Sequence, residues 1–141
     1  MLIYPELIAA IEKAQKIIPF PEGAWVDLPV DNGWYVVDPA TGALGRDHWF
    51  PDEGITSTEG NAYCLWAKVW LDEQGTGSEN EKDAWSYLSA FPQSLVFSVY
   101  YDEGSREYTR SVITAASLGD SSKLANDFAI NCESPYLHWA D

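Results

Sequence analysis

The chain has 141 residues, 46% hydrophobic and 14% aromatic, with 22 acidic against 8 basic side chains and a formal net charge of −14 at pH 7. That apolar content excludes a disordered acidic tail, and the length suits one domain that buries about two-thirds of the surface its unfolded form exposes. The charge argues against nucleic acid as a ligand, because Lys13, Lys16, Arg46, Lys68, Lys82, Arg106, Arg110 and Lys123 are scattered and make no phosphate-neutralising cluster; a basic protein, a polyamine or a metal ion is the better chemical match.

Met1 to Pro5 lacks the basic, apolar and small-residue order of a secretory signal, and no run reaches the roughly 18 apolar residues of a membrane span. A cytoplasmic protein that does not enter the membrane is expected. Pro5 followed by Glu6 to Ile18 predicts an amphipathic helix: a proline at the start, an acid early, lysines late, and apolar residues at Leu7, Ile8, Ile11, Ala14, Ile17 and Ile18. Its charges cancel, so the net negative charge lies beyond it. Pro19 and Pro21 end it.

From Ala24 to Phe50 the pattern changes to short aromatic and β-branched runs, Trp25-Val26 and Trp34 to Val37, separated by Asp31-Asn32-Gly33 and followed by Asp38 to Gly42. Two or three antiparallel strands are expected there, then an acidic loop over Pro51 to Gly60. Asn61 to Leu71 reads at either period, and its large aromatic and β-branched residues favour a strand. Asp72 to Asp83 reads as a glycine-rich acidic connection, and Asp83 to Phe91 as a two-turn helix stopped by Pro92. Leu95 to Tyr101, the turn Asp102 to Ser105, and Arg106 to Thr114 predict a β-hairpin, with Leu95, Phe97, Val99 and Tyr101 on its buried face. Ser121 or Ser122 caps a short helix to Ile130, before the aromatic segment Pro135 to Trp139. The expected fold is therefore one α+β domain over residues 1–141, with an antiparallel sheet of about four to six strands and the N-terminal and short helices packed on one face.

The candidate binding residues are the acids of the expected loops and turn: Asp52, Glu53 and Glu59, then Asp72, Glu73, Glu79, Glu81 and Asp83, then Asp102, Glu103 and Glu107. Gathered at one end of a sheet they would form a negative platform, against the plainer reading of solvated charged loops. The twelve residues from Asp72 to Asp83 echo a calcium loop with Gly77 sixth, but Gln74, Thr76 and Asp83 depart from its ligand pattern, and a flexible loop is the reading kept. His48 and His138 are the only histidines, and Cys64 and Cys132 the only cysteines. Zinc would need closer pairing of such residues. The cysteines are expected as reduced, buried small hydrophobes, with a bridge between them as the alternative and a Cys-His nucleophile as a minor one. Paired carboxylates for glycoside hydrolysis carry no information among so many acids. Trp25, Trp34, Trp49, Trp66, Trp70 and Trp85 would line a sugar-binding surface or, more commonly, a core.

These features favour a binding protein that is not an enzyme and carries no cofactor or metal. The leading expectation is an acidic inhibitor of a basic protein partner, of the kind represented by immunity proteins against bacterial toxins such as nucleases, because a cationic cleft calls for complementary potential and aromatic anchors. An aromatic-rich carbohydrate- or ligand-binding module and a nucleic-acid-mimicking inhibitor are the alternatives. The sequence leaves the oligomeric state open.

Overall fold

The computed structural model describes residues 1–31, 36–37 and 49–140, with residues 30, 31, 36 and 37 described by their backbone alone. The expected turn at Asn32-Gly33, the residues Trp34, Tyr35, Arg46 and His48, and the segment Asp38 to Gly42 lie outside the described residues.

The fold is helical, which corrects the expected α+β sheet. In chain order the elements are α1 (Tyr4–Gln15), β1 (Trp25–Val26), β2 (Val30–Asp31), β3 (Val36–Val37), α2 (Glu53–Glu73), α3 (Glu79–Ala90), a 3-10 turn (Phe91–Gln93), a π-helical turn (Val96–Tyr100), α4 (Glu103–Ser117), α5 (Ser122–Asn131) and β4 (Leu137–His138). Among the described residues the strands form two-residue antiparallel pairs: β1 with β4, Trp25 opposite His138 and Val26 opposite Leu137, and β2 with β3, Val30 opposite Val37 and Asp31 opposite Val36.

Helix α2 is the axle of the domain and packs against α1, α3, α5, the π turn and β4. Its consecutive residues Ala62, Tyr63, Cys64, Leu65, Trp66 and Ala67 are all buried. A helix covered on every side shows no amphipathic stripe, which is why this stretch reads as a strand from sequence. The start of α2 occupies most of the segment expected as an acidic loop. At the α1 crossing a Cβ on Gly54 would stand 2.6 Å from Ala10, so only glycine lets these helices approach this closely. The first helix is as expected, with Leu7, Ile11 and Ala14 buried, and it ends three residues short of the predicted boundary.

The predicted hairpin over residues 95–114 is absent, and both halves are helical for identifiable reasons. Asp102 is the N-cap of α4, its Oδ1 accepting from the Ser105 amide at 2.7 Å; turns and N-caps select the same residues. Thr109, Val112 and Ala116 then fall on one buried helical face. The π turn is held from both ends by distant or out-of-register side chains. Glu59 of α2 accepts from the amides of Leu95 and Val96 at 3.1 and 2.9 Å, and Arg106 donates to the carbonyls of Phe97 and Ser98 at 3.2 and 3.1 Å. Neither partner is visible in the local pattern.

Cys64 and Cys132 form a disulfide between α2 and the end of α5, with Cα atoms 5.3 Å apart, so neither is free; this overturns the expectation of reduced cysteines and removes both as nucleophiles. The tryptophans largely serve the core. Trp49 and Trp66 are buried, Trp70 packs on Trp85 with ring centres 5.0 Å apart, and the indoles of Trp66 and Trp139 donate to the carbonyls of Pro19 and Leu65. Exposed Trp25 stacks on His138, which also contacts Asp27 at 3.0 Å. No helix among the described residues is long and apolar enough to cross a membrane.

Candidate functional site

Between α2, the π turn, α4 and α5 lies a groove of about 570 Å³. Its floor is formed by buried Tyr63, Thr109, Asp127 and the disulfide, and its rim by exposed Phe50, Tyr100 and Tyr108. Asp52 and Glu53 add acids at one end, and no basic side chain among the described residues lines it.

Asp127 is the unusual member. It is only 5% exposed, yet its partners are neutral: Tyr63 Oη donates to Oδ2 at 2.8 Å, Asn131 Nδ2 to Oδ1 at 2.7 Å, and the Tyr108 hydroxyl also bonds to it. No Lys, Arg or His among the described residues forms an ion pair with it. Buried carboxylates are ordinarily paired with a cation, because removing a charge from water is costly. Its field reaches the surrounding phenols. Burial, reinforced by the Asp127 charge, pushes Tyr63 far above the ordinary tyrosine range, and the same two causes raise Tyr101 and Tyr108. At the rim, Tyr100 Oη donates to both oxygens of Asp52 at 2.6 and 2.7 Å, and this hydrogen bond is the main reason its phenol is raised.

Gly60 also lines the groove, in the interior of α2. Glycine there costs about 1 kcal/mol of helix stability relative to alanine. Unlike Gly54, it has no packing reason: a Cβ on Gly60 would meet nothing within 4 Å.

The acids expected as one platform separate into different settings. Asp52 and Glu53 are at the groove, where Glu53 also accepts from the Phe50 amide at 3.2 Å. Half-buried Glu59 holds the π turn. Asp72 pairs with Lys68 at 2.6 Å and Glu79 with Lys82 at 3.5 Å. Glu73 accepts from Ser78 Oγ at 3.0 Å, and Glu81 from the Gly75 amide and, at 3.0 Å, the Gly77 amide. The calcium-like stretch is thus the end of α2, a tight turn and the start of α3, closed by its own carboxylates. Asp83 and Glu107 are exposed on α3 and α4; Asp102 caps α4, the Ser105 amide holding its carboxyl below the ordinary range, and Glu103 pairs with Arg106 at 3.4 Å. No group of three or more His, Cys, Asp or Glu among the described residues is placed to hold a metal ion.

Sequence reasoning missed Asp127, Tyr63, Tyr100, Tyr108 and Gly60. One signal was present: Asp127 stands three residues after buried Leu124, an acid on the apolar stripe of α5. The fold and groove define a small helical domain with an acid- and tyrosine-lined cleft. Comparison with protein-family models, curated proteins and solved structures finds no match for this chain.

Proposed function

We propose that this domain binds and neutralises a basic protein partner, as the immunity protein of a nuclease toxin does. The observation that carries this reading is a groove whose ionisable lining among the described residues is acidic and phenolic, on a chain with a net charge of −14. A surface of that potential steers a cationic partner and raises its association rate, and aromatic side chains such as Phe50 and Tyr100, whose rings lie 6.3 Å apart at the rim, supply anchors on contact. The Cys64–Cys132 bridge favours an oxidising setting over the expected cytoplasm, because structural disulfides are rare where thiols are kept reduced.

The test is capture from native lysate at low salt, elution by stepwise salt, identification by mass spectrometry and titration of the purified candidate. One basic protein in stoichiometric amount is expected, its association slowed by about a decade or more at low salt by Glu103→Lys with Glu107→Lys. A candidate whose association rate is indifferent to salt and to that double reversal, or the recovery of salt-labile background alone, overturns the reading.

A further inference from the structure

A basic protein offers two kinds of cation, the compact ammonium of lysine and the planar guanidinium of arginine. Resting on the neutralising function above, we propose that the groove is the receptor for one arginine side chain of the partner, whose guanidinium completes the buried carboxylate of Asp127.

Three features of the groove converge on this occupant. Among the described residues Asp127 accepts from neutral donors alone, the Tyr63 hydroxyl on Oδ2, the Asn131 amide on Oδ1 and the Tyr108 hydroxyl, so a carboxylate with about four acceptor sites keeps capacity for a further donor, and it has no cation of its own among those residues. The space is far larger than a water molecule or metal ion needs and falls in the range of sites that enclose an organic group. Gly60 leaves one wall of α2 bare, with no atom of the described residues within 4 Å of where its Cβ would stand. An incoming side chain would lie against that wall.

Guanidinium suits the lining better than ammonium. Its fork of five donors would serve the two oxygens of Asp127 and neighbouring phenol oxygens at once, it stacks on aromatic faces, and it sheds water more readily. Tyr63, Tyr101 and Tyr108 supply phenols around Asp127. A protein, rather than a free polyamine, is indicated by the exposed apolar surface at the opening: Phe50 is 53% exposed and Tyr100 46%. Such residues are buried by a macromolecular face and left wet by a small amine.

The probes are N-acetyl-arginine amide and N-acetyl-lysine amide, titrated into the intact disulfide-bonded protein and followed by calorimetry and NMR shifts of groove amides. The arginine amide is expected to bind at least about tenfold more tightly than the lysine amide, and Asp127→Asn to weaken it at least about tenfold. Because Asp127 also receives Tyr63 and Asn131, a loss of folding in that variant would mask the result; Gly60→Phe gives an independent reading, since its side chain enters open space and is expected to abolish binding with the helical circular dichroism retained. Equal affinity for the two amides, no saturation at tens of millimolar, or binding untouched by Gly60→Phe overturns the proposal. If the identified basic partner binds Gly60→Phe as tightly as the parent yet is weakened by Glu103→Lys with Glu107→Lys, the groove proposal fails and the neutralising function stands. Saturable binding of the arginine amide with no basic partner recovered overturns the neutralising function and leaves a guanidinium site.

Discussion

The groove and the α2–α3 connection hold the same residue type in opposite circumstances. In the connection, acids dense in sequence are occupied locally: Asp72 by Lys68, Glu79 by Lys82, and Glu73 and Glu81 by the turn they enclose. At the groove the acids are few and come from far apart in the chain, and two of them, Asp52 and Asp127, are met by tyrosine hydroxyls. The difference teaches that acid density along a chain does not locate a charged site. A carboxylate out of water, beside empty space and without a cation, is the more telling arrangement.

The largest expected effect separates the regions by what holds them. The disulfide spans 68 positions and ties two of the groove's four walls, α2 and α5; reduction, or Cys64→Ser with Cys132→Ser, should remove about 4 kcal/mol and lower the midpoint of thermal unfolding by about 10 °C. Hydrogen exchange should rise at the groove and stay unchanged in the turn at residues 74–78.

Gly54 and Gly60 sharpen the contrast within one helix. Gly54→Ala should destabilise by about 2–3 kcal/mol in denaturant titration, because its Cβ would meet the Ala10 backbone. Gly60→Ala should instead stabilise by up to about 1 kcal/mol.

Tyr63→Phe should cost about 1–3 kcal/mol by depriving buried Asp127 of a donor. It also carries a pH signature. Folding raises the phenol pKa of Tyr63, so above the unfolded value of about 10 the unfolded chain releases a proton that the native state retains, and stability falls as pH rises through that range. Tyr87, raised mainly by burial, acts in the same direction. The variant should flatten the slope measured by unfolding titrations on either side of pH 10.

The smallest effect belongs to the connection. The Lys68–Asp72 side chains are 39% and 60% exposed, and Asp72→Asn should change stability by no more than about 0.5 kcal/mol. A larger loss would show that the connection's local pairs matter to the whole domain and would break the contrast.

The sequence by itself determined three helices, because each carries its signal within a few residues: Pro5 and the lysines of α1, the boundary before Pro92 at α3, and the serine-led start of α5. It also determined the charge excess. The tertiary structure decided the rest. Helix α2 is buried all round and loses its periodic mark; the π turn depends on Glu59, more than thirty positions earlier, and on Arg106; the cysteines meet only when α5 packs on α2. The candidate site belongs to this second group. Asp127 is one acid among 22 until folding removes it from water and sets Tyr63 beside it, and a pattern read along the chain records neither burial nor which neighbours a side chain meets.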